Sequence, residues 1–97
     1  MYPPRKWCHW NIEVPIGQYI ELEFKHFDLG PDVTCNFEWL QIHDGEHSLY
    51  PTLTDKLCGI EKPYNIESGG RKLYLRWKSD DTRSFSGFNI SVKIPGK

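Results

Sequence analysis

The residues most able to bind a metal ion or to act as a base are the four histidines, His9, His26, His43 and His47. Only His43 and His47 are close together, and the Asp44-Gly45 pair between them favours a hairpin turn over the helical turn that would align them. No pair of cysteines has the spacing of a zinc site. We interpret the histidines as ordinary surface residues and predict no zinc site.

Serine, histidine and aspartate are all present, but the sequence contains no known catalytic motif. There is no nucleophile elbow, no HExxH sequence and no glycine-rich loop that could hold a phosphate. A chain of 97 residues also has little room for the concave pocket that catalysis requires. We therefore predict that the chain is not an enzyme and that it requires no cofactor.

The three cysteines, Cys8, Cys35 and Cys58, make an odd number. In a secreted protein this means one bridge and one thiol whose partner is missing or intermolecular, whereas in a cytosolic protein all three would be reduced core thiols. The spacing alone leaves both alternatives open. Asn89-Ile90-Ser91 is an acceptor sequence for N-glycosylation and gives weak support to secretion.

Length and composition are typical of one soluble globular domain. Hydrophobic residues make up 38% and charged residues 26%, a profile unlike that of a disordered tail or a membrane span. The formal net charge is −1, and no long run of like charge predicts binding to nucleic acid or direct insertion into a membrane. The first residues do not resemble a signal peptide, so we expect the sequence to be excised from a larger protein.

The elements that position these residues are strands, because apolar and polar residues alternate along most of the chain. The predicted inward-facing residues are Cys8, Trp10, Ile12 and Val14; Ile20, Leu22 and Phe24; Leu40 and Ile42; Leu73, Leu75 and Trp77; and Phe88, Ile90, Val92 and Ile94. Turn-forming Gly and Pro residues separate these runs, and no segment keeps a helical period. The pattern predicts an all-β antiparallel sandwich or barrel, with Asn89 facing outward.

Two aromatic residues have the opposite parity to the predicted core. Trp39 and Tyr74 should face outward or lie beneath loops, because their neighbours Leu40 and Leu73 face inward. Trp39, the adjacent Glu38 and Tyr74 are the candidate partner-binding residues, since aromatic anchors dominate interface energies. A tryptophan folded under its own loop is an equally good interpretation.

The order of several short motifs resembles that of a CUB domain. The first half reads Tyr2-Pro3-Pro4, Cys8-x-Trp10-x-Ile12-x-Val14-Pro15-x-Gly17 and Ile20-x-Leu22-x-Phe24-x-x-Phe27-Asp28-Leu29. The second half reads Cys35-x-Phe37-Glu38-Trp39-Leu40-x-Ile42-x-Asp44-Gly45, Leu57-Cys58-Gly59, Pro63, Ser68-Gly69, Leu73-x-Leu75, Ser79-Asp80 and Gly87-Phe88. The resemblance covers almost the whole chain, and residues 10–15 are especially similar to CUB modules of membrane-anchored serine proteases of the matriptase type.

The resemblance implies a jelly-roll-like antiparallel sandwich of two sheets, used in extracellular proteins to bind other proteins. It also implies a bridge between Cys35 and Cys58. In the family, the cysteine that matches Cys8 pairs with one about 25 residues earlier, which this sequence lacks together with the first strand. Either the sequence is a piece of a longer one, or it is a shortened variant whose opened sheet edge something else must cover.

Many CUB modules hold a calcium ion in the loops at one end of the sandwich. The family's ligand positions correspond here to Gly30, Glu38 and Asp80, so the match is partial, because Gly30 supplies no carboxylate. Asp28, Asp32, Asp81 and the hydroxyl of Thr82 could compensate. Glu38, Asp80, Asp81 and Thr82 form the candidate calcium site, and acidic residues decorating solvated loops are the alternative.

We therefore expect residues 1–97 to form one CUB-like domain of a secreted or membrane-anchored protein. Its expected function is non-enzymatic binding of an extracellular protein or of neighbouring modules in its parent protein. The rival hypothesis is a lectin-like sandwich that stacks sugars on Trp39 or Tyr74.

Overall fold

The structure is a computed structural model, and it describes residues 7–31, 34–36, 38–78 and 87–96. Its strands in chain order are β1 (Trp7–Glu13), β2 (Glu21–Asp28), β3 (Trp39–His43), β4 (Ile66–Glu67), β5 (Lys72–Lys78) and β6 (Gly87–Lys93). The described residues form no helix, and so none that could cross a membrane.

The strands form two antiparallel sheets of three strands each. The front sheet has the order β1-β5-β3, and the back sheet has the order β4-β2-β6. In the front sheet, Trp7 of β1, Lys78 of β5 and Trp39 of β3 lie in one row across the strands. The all-β, jelly-roll-like sandwich predicted from the sequence is confirmed.

The core lies between the sheets and contains most of the residues that alternation assigned to the inside, together with Phe27, Leu29 and Ile66, which it did not. Its buried members are Val14, Ile20, Leu22, Phe24, Phe27, Leu29, Leu40, Ile42, Ile66, Leu73, Leu75 and Trp77. Burial of apolar surface contributes about 25 cal/mol per Å², so this cluster is the main source of stability.

A bulge in β2 allows two phenylalanines with odd spacing to enter the core. The register against β6 shifts between Phe24 and His26, and as a result both Phe24 and Phe27 are buried. Simple alternation would have turned Phe27 outward, because a one-residue shift exchanges the two faces of a strand. The rings of Phe24 and Phe27 contact each other edge to face, with centroids 5.9 Å apart.

Trp10 was predicted to be a core residue, and this prediction is only half correct. Its ring does face inward, against Trp77 and Phe88, but 40% of the residue is exposed. Val92, also predicted inward, is 48% exposed. Both residues lie on edge strands of the described sheets, β1 and β6, and they line an open apolar groove between these edges. Facing inward therefore does not bury a side chain at the border of a sandwich.

The bridge between Cys35 and Cys58 is present, with the two Cα atoms 5.5 Å apart. It joins residues 23 positions apart and connects the segment before β3 to the loop that returns along it. Cys8 is a free, half-buried thiol packed against the core. The odd cysteine count is thus resolved as one bridge and one thiol.

Candidate partner-binding surface

The outer face of the front sheet carries the residues that the alternation of β5 excludes from the core. Leu73, Leu75 and Trp77 are buried, while Tyr74, Arg76 and Lys78 point the other way and are half-buried. Strands β1 and β3 add their own outward residues in register with these. This face is the one on which Trp39 and Tyr74 were expected.

Trp39 lies on this outer face but is only 5% exposed, because other side chains cover it. Trp7 meets its ring edge to face with centroids 5.5 Å apart, and the ammonium of Lys56 lies 4.4 Å from its centroid. Trp7 itself is 59% exposed. The indole available to a partner is therefore Trp7, with Trp39 as the base on which it rests.

Arg76 is held in a fixed position beside these indoles. Its Nε donates to Nε2 of His43 at 3.2 Å, its Nη2 donates to Oε1 of Gln41 at 3.1 Å, and its guanidinium carbon lies 5.6 Å from the Trp39 centroid. His43 is buried, so the sequence interpretation of it as a surface residue is wrong, and its Nδ1 lies 2.9 Å from the carbonyl oxygen of Tyr50. A carbonyl can only accept, so Nδ1 carries the proton and Nε2 is free to accept from Arg76.

Tyr74 is one member of an aromatic row rather than an isolated anchor. Its ring stacks on His9 with centroids 5.6 Å apart, and it contacts the ring of His43 at 5.9 Å. This row lies directly beside Arg76 on the same face.

We call the set Trp7, Trp39, Lys56, Arg76 and Lys78 the tryptophan platform.

Charge is distributed unevenly between the two ends of the outer face. At the end near the 44–50 loop, Lys72 pairs with Glu46 at 2.9 Å, and Arg71 pairs with Glu13 at 2.6 Å. The hydrogen bond to Lys72 lowers the pKa of Glu46 and raises that of Lys72. At the platform end, no carboxylate of a described residue lies within ion-pair distance of Lys56, Lys78 or Arg76.

The structure separates Glu38 from the other predicted binding residues. Its side chain is 1% exposed, so it cannot contact a partner as the sequence analysis predicted. Its place immediately before β3 gives it inward parity, opposite to that of Trp39.

Asp80, Asp81 and Thr82 of the candidate calcium site lie outside the described residues. The residues that are described contain no cluster of three potential metal ligands.

Sequence reasoning did not find Trp7, Lys56 or Arg76. Trp7 had a usable signal, because it shares outward parity with His9 at the start of β1. Lys56 had none, because it lies 17 positions beyond Trp39 in an irregular segment, and only the pairing of Leu57 with Leu40 brings it over the ring.

The chain is thus a small two-sheet sandwich with one disulfide bridge and an open outer face. The sequence model of the CUB domain matches residues 1–92, and the chain belongs to the CUB domain family. Cubilin of Sus scrofa is 39% identical over 91 residues, which is 93% of this chain and 2% of cubilin. Exoskeleton protein RP43 of Riftia pachyptila is 38% identical over 89 residues, 91% of this chain and 21% of that protein.

Solved CUB structures share the fold. The CUB1-EGF-CUB2 fragment of human MASP-1/3 matches 96% of this chain and 37% of its own, with a TM-score of 0.79 and 25% identity. The MASP-1 CUB2 domain bound to Ca²⁺ matches 95% of this chain and 80% of its own, with a TM-score of 0.80 and 22% identity, and indicates the fold alone.

The relatives are extracellular proteins or ectodomains of membrane proteins, so the chain is an extracellular module. It spans about a fifth or less of the length of the two relatives named above.

Proposed function

We propose that this domain binds a protein partner non-enzymatically through the tryptophan platform. The observation that carries the proposal is the exposed indole of Trp7, which rests on a covered Trp39 beside the fixed guanidinium of Arg76. Tryptophan and arginine are the residues most enriched among those that dominate binding energies. A side chain already held in its bound position also loses less entropy when the partner arrives.

Catalysis is not part of the proposal, because the histidines of this face have structural roles. Both ring nitrogens of His43 are engaged, one with the Tyr50 carbonyl and one with Arg76. His9 stacks on Tyr74. A general base needs a nitrogen within reach of a substrate proton, and the buried His43 offers none.

Selection of a displayed random-peptide library on the folded domain tests the proposal. We expect enriched peptides to lose at least about tenfold in affinity on Trp7→Ala, the loss typical of a dominant interface residue. Tyr64→Ala is the matched control, because Tyr64 is an aromatic residue of the β3–β4 loop and is 94% exposed. Peptides that bind equally to parent and Trp7→Ala, or that depend on Tyr64, would refute the platform as the binding site.

The observation that supports the carbohydrate hypothesis is the exposed indole of Trp7, whereas the sequence analysis expected Trp39 or Tyr74. Trp39 is covered and Tyr74 lies between two histidine rings, so a sugar would have to stack on Trp7. A glycan array that is positive with the parent domain and blank with Trp7→Ala would favour this second candidate.

We also propose that any calcium site formed by Glu38, Asp80, Asp81 and Thr82 is weak. Glu38 is a deeply buried carboxylate, a group that requires hydrogen bonds or a cation, and Asp80, Asp81 and Thr82 would complete the ligand set. Gly30 removes one carboxylate, so we expect a Kd of about 10⁻⁴ to 10⁻³ M. Thermal melts with millimolar calcium and with chelator should differ for the parent and coincide for Asp80→Ala. Equal midpoints for the parent would contradict the proposal.

Neighbouring modules of a longer protein are the other proposed class of partner. The relatives are several times longer than this chain, so they carry its counterpart beside other segments.

A further inference from the structure

The basic side chains of the platform differ from most of the other basic residues described. Lys25, Lys93, Arg71 and Lys72 each pair with a glutamate. Lys56, Arg76 and Lys78 surround the two indoles instead, and none pairs with a carboxylate of a described residue. The chain as a whole has a net charge of −1, so this local positive charge does not reflect a basic protein.

The interactions of Arg76 leave part of its guanidinium available to a ligand. Two of its N–H groups are used, by His43 and Gln41, and both acceptors lie on β3. The guanidinium carries five N–H donors in a planar fork, so donors remain for an incoming carboxylate. Because the two internal bonds fix its orientation, a carboxylate would meet an arginine that is already ordered.

Lys56 adds a second cation close to the Trp39 ring. Its ammonium lies over the ring, an arrangement that is favourable without a carboxylate but leaves the charge at the surface. Lys78 lies between Trp7 and Trp39 in the same row. The apolar contact offered by Trp7 is thus flanked by positive charges.

We infer that the partner segment bound by the platform is acidic: a peptide in which carboxylates flank an apolar or aromatic side chain. The central side chain packs on Trp7, and the flanking carboxylates pair with Arg76, Lys56 and Lys78. This inference rests on the proposed function and specifies the chemistry of its partner. Charge complementarity of this kind contributes mainly to specificity and to the rate of association.

The test is an NMR titration of the ¹⁵N-labelled domain, followed through the indole N–H signals of Trp7 and Trp39. The probes are a short synthetic peptide with glutamates on both sides of one tyrosine, the same peptide with glutamines in place of the glutamates, and a heparin-derived oligosaccharide. We expect the glutamate peptide to shift both indole signals and to bind at least about fivefold more tightly than the glutamine peptide. Raising the salt to about 0.5 M should remove most of this difference.

Charge-removing variants locate the effect. Lys56→Gln and Lys78→Gln should each weaken binding of the glutamate peptide about two- to fivefold, the range of single exposed charge pairs. Lys62→Gln is the control, because Lys62 is an exposed lysine outside the platform and should leave binding unchanged. Arg76→Lys keeps the charge but loses the fork, and we expect the largest loss of the four.

The outcomes distinguish this inference from the proposed function. Equal binding of the two peptides at the indoles would overturn the acidic partner while leaving the platform as a binding site. Binding of the oligosaccharide alone would overturn it in favour of a sulfated glycan. Absence of any indole shift would also overturn it, and the library selection with Trp7→Ala would then decide separately on the proposed function.

Discussion

Removing the bridge between Cys35 and Cys58 should destabilise the domain more than any other single change to its cysteines. The bridge joins residues 23 positions apart, and the chain-entropy model for a loop of about 24 residues gives about 3.4 kcal/mol at 25 °C. Domains of this size are stable by about 5 to 15 kcal/mol, so the loss is between about a quarter and two thirds of the total. At about 4 to 8 °C per kcal/mol, the melting midpoint should fall by about 14 to 27 °C.

The backbone at Cys35 gives the bridge a local consequence as well. Its φ is 59°, in the left-handed region that residues other than glycine occupy at a cost. The bridge fixes the side chain of a residue in this conformation, so without it the segment before β3 should relax. That segment leads directly into Trp39, which makes the platform sensitive to the bridge.

The assay compares thermal and urea unfolding of the double variant Cys35→Ser/Cys58→Ser with the parent. Replacing both cysteines avoids a new free thiol, and Cys8→Ser serves as the control because Cys8 is a free, half-buried cysteine. We expect Cys8→Ser to change the free energy of unfolding by less than about 1 kcal/mol. A double variant within 1 kcal/mol of the parent, or one no less stable than Cys8→Ser, would refute the reasoning.

Three further predictions use other parts of the structure. Gly45→Ala should cost about 1 to 3 kcal/mol in unfolding experiments, because an added Cβ would lie 2.1 Å from the ring of Tyr50, whereas Gly70→Ala has open space and should be nearly neutral. The hydrogen bond to the Lys72 ammonium lowers the pKa of the Glu46 carboxyl, so the pair stabilises the fold above the ordinary pKa of a glutamate, and the effect is lost as the pH falls through the lower folded pKa. Parent and Glu46→Gln should therefore differ in stability at neutral pH and converge in acid, below that folded pKa. Asn89 is exposed, so expression in a secretory host should yield a glycan that Asn89→Gln lacks, and identical masses would contradict this.

Alternation predicted the faces of the strands but not their surroundings. Along β5 the pattern correctly divides Leu73 and Leu75 from Tyr74 and Arg76, because every side chain of a central strand is constrained by a neighbour on each side. For Trp10 the pattern predicted the inward direction but not the exposure, since burial at an edge depends on whether another strand lies beside it. The order of the strands in a sheet cannot be read from the alternation of residues along each strand.

The sequence predicted the face on which the candidate site lies, but not which residues form the site. Parity placed Trp39 on the outer face, but its burial follows from Trp7 and Lys56, which are distant in sequence and reach it only through sheet pairing and loop return. The role of His43 was equally hidden, because a histidine that orients an arginine has no local sequence signature. Contacts between side chains that are distant in sequence are what a local sequence pattern cannot predict.

The position of Trp7 couples binding to the order of an edge strand. Trp7 is the first residue of β1, and β1 pairs only with β5 among the described strands. Edge strands open more readily than central ones, so the exposed indole depends on the least protected pairing of the front sheet. A partner that holds Trp7 against Trp39 therefore also stabilises β1, and a segment that paired with the free edge of β1 would in turn order Trp7. The two contacts should strengthen each other by the same factor, because coupling between two bound ligands is reciprocal.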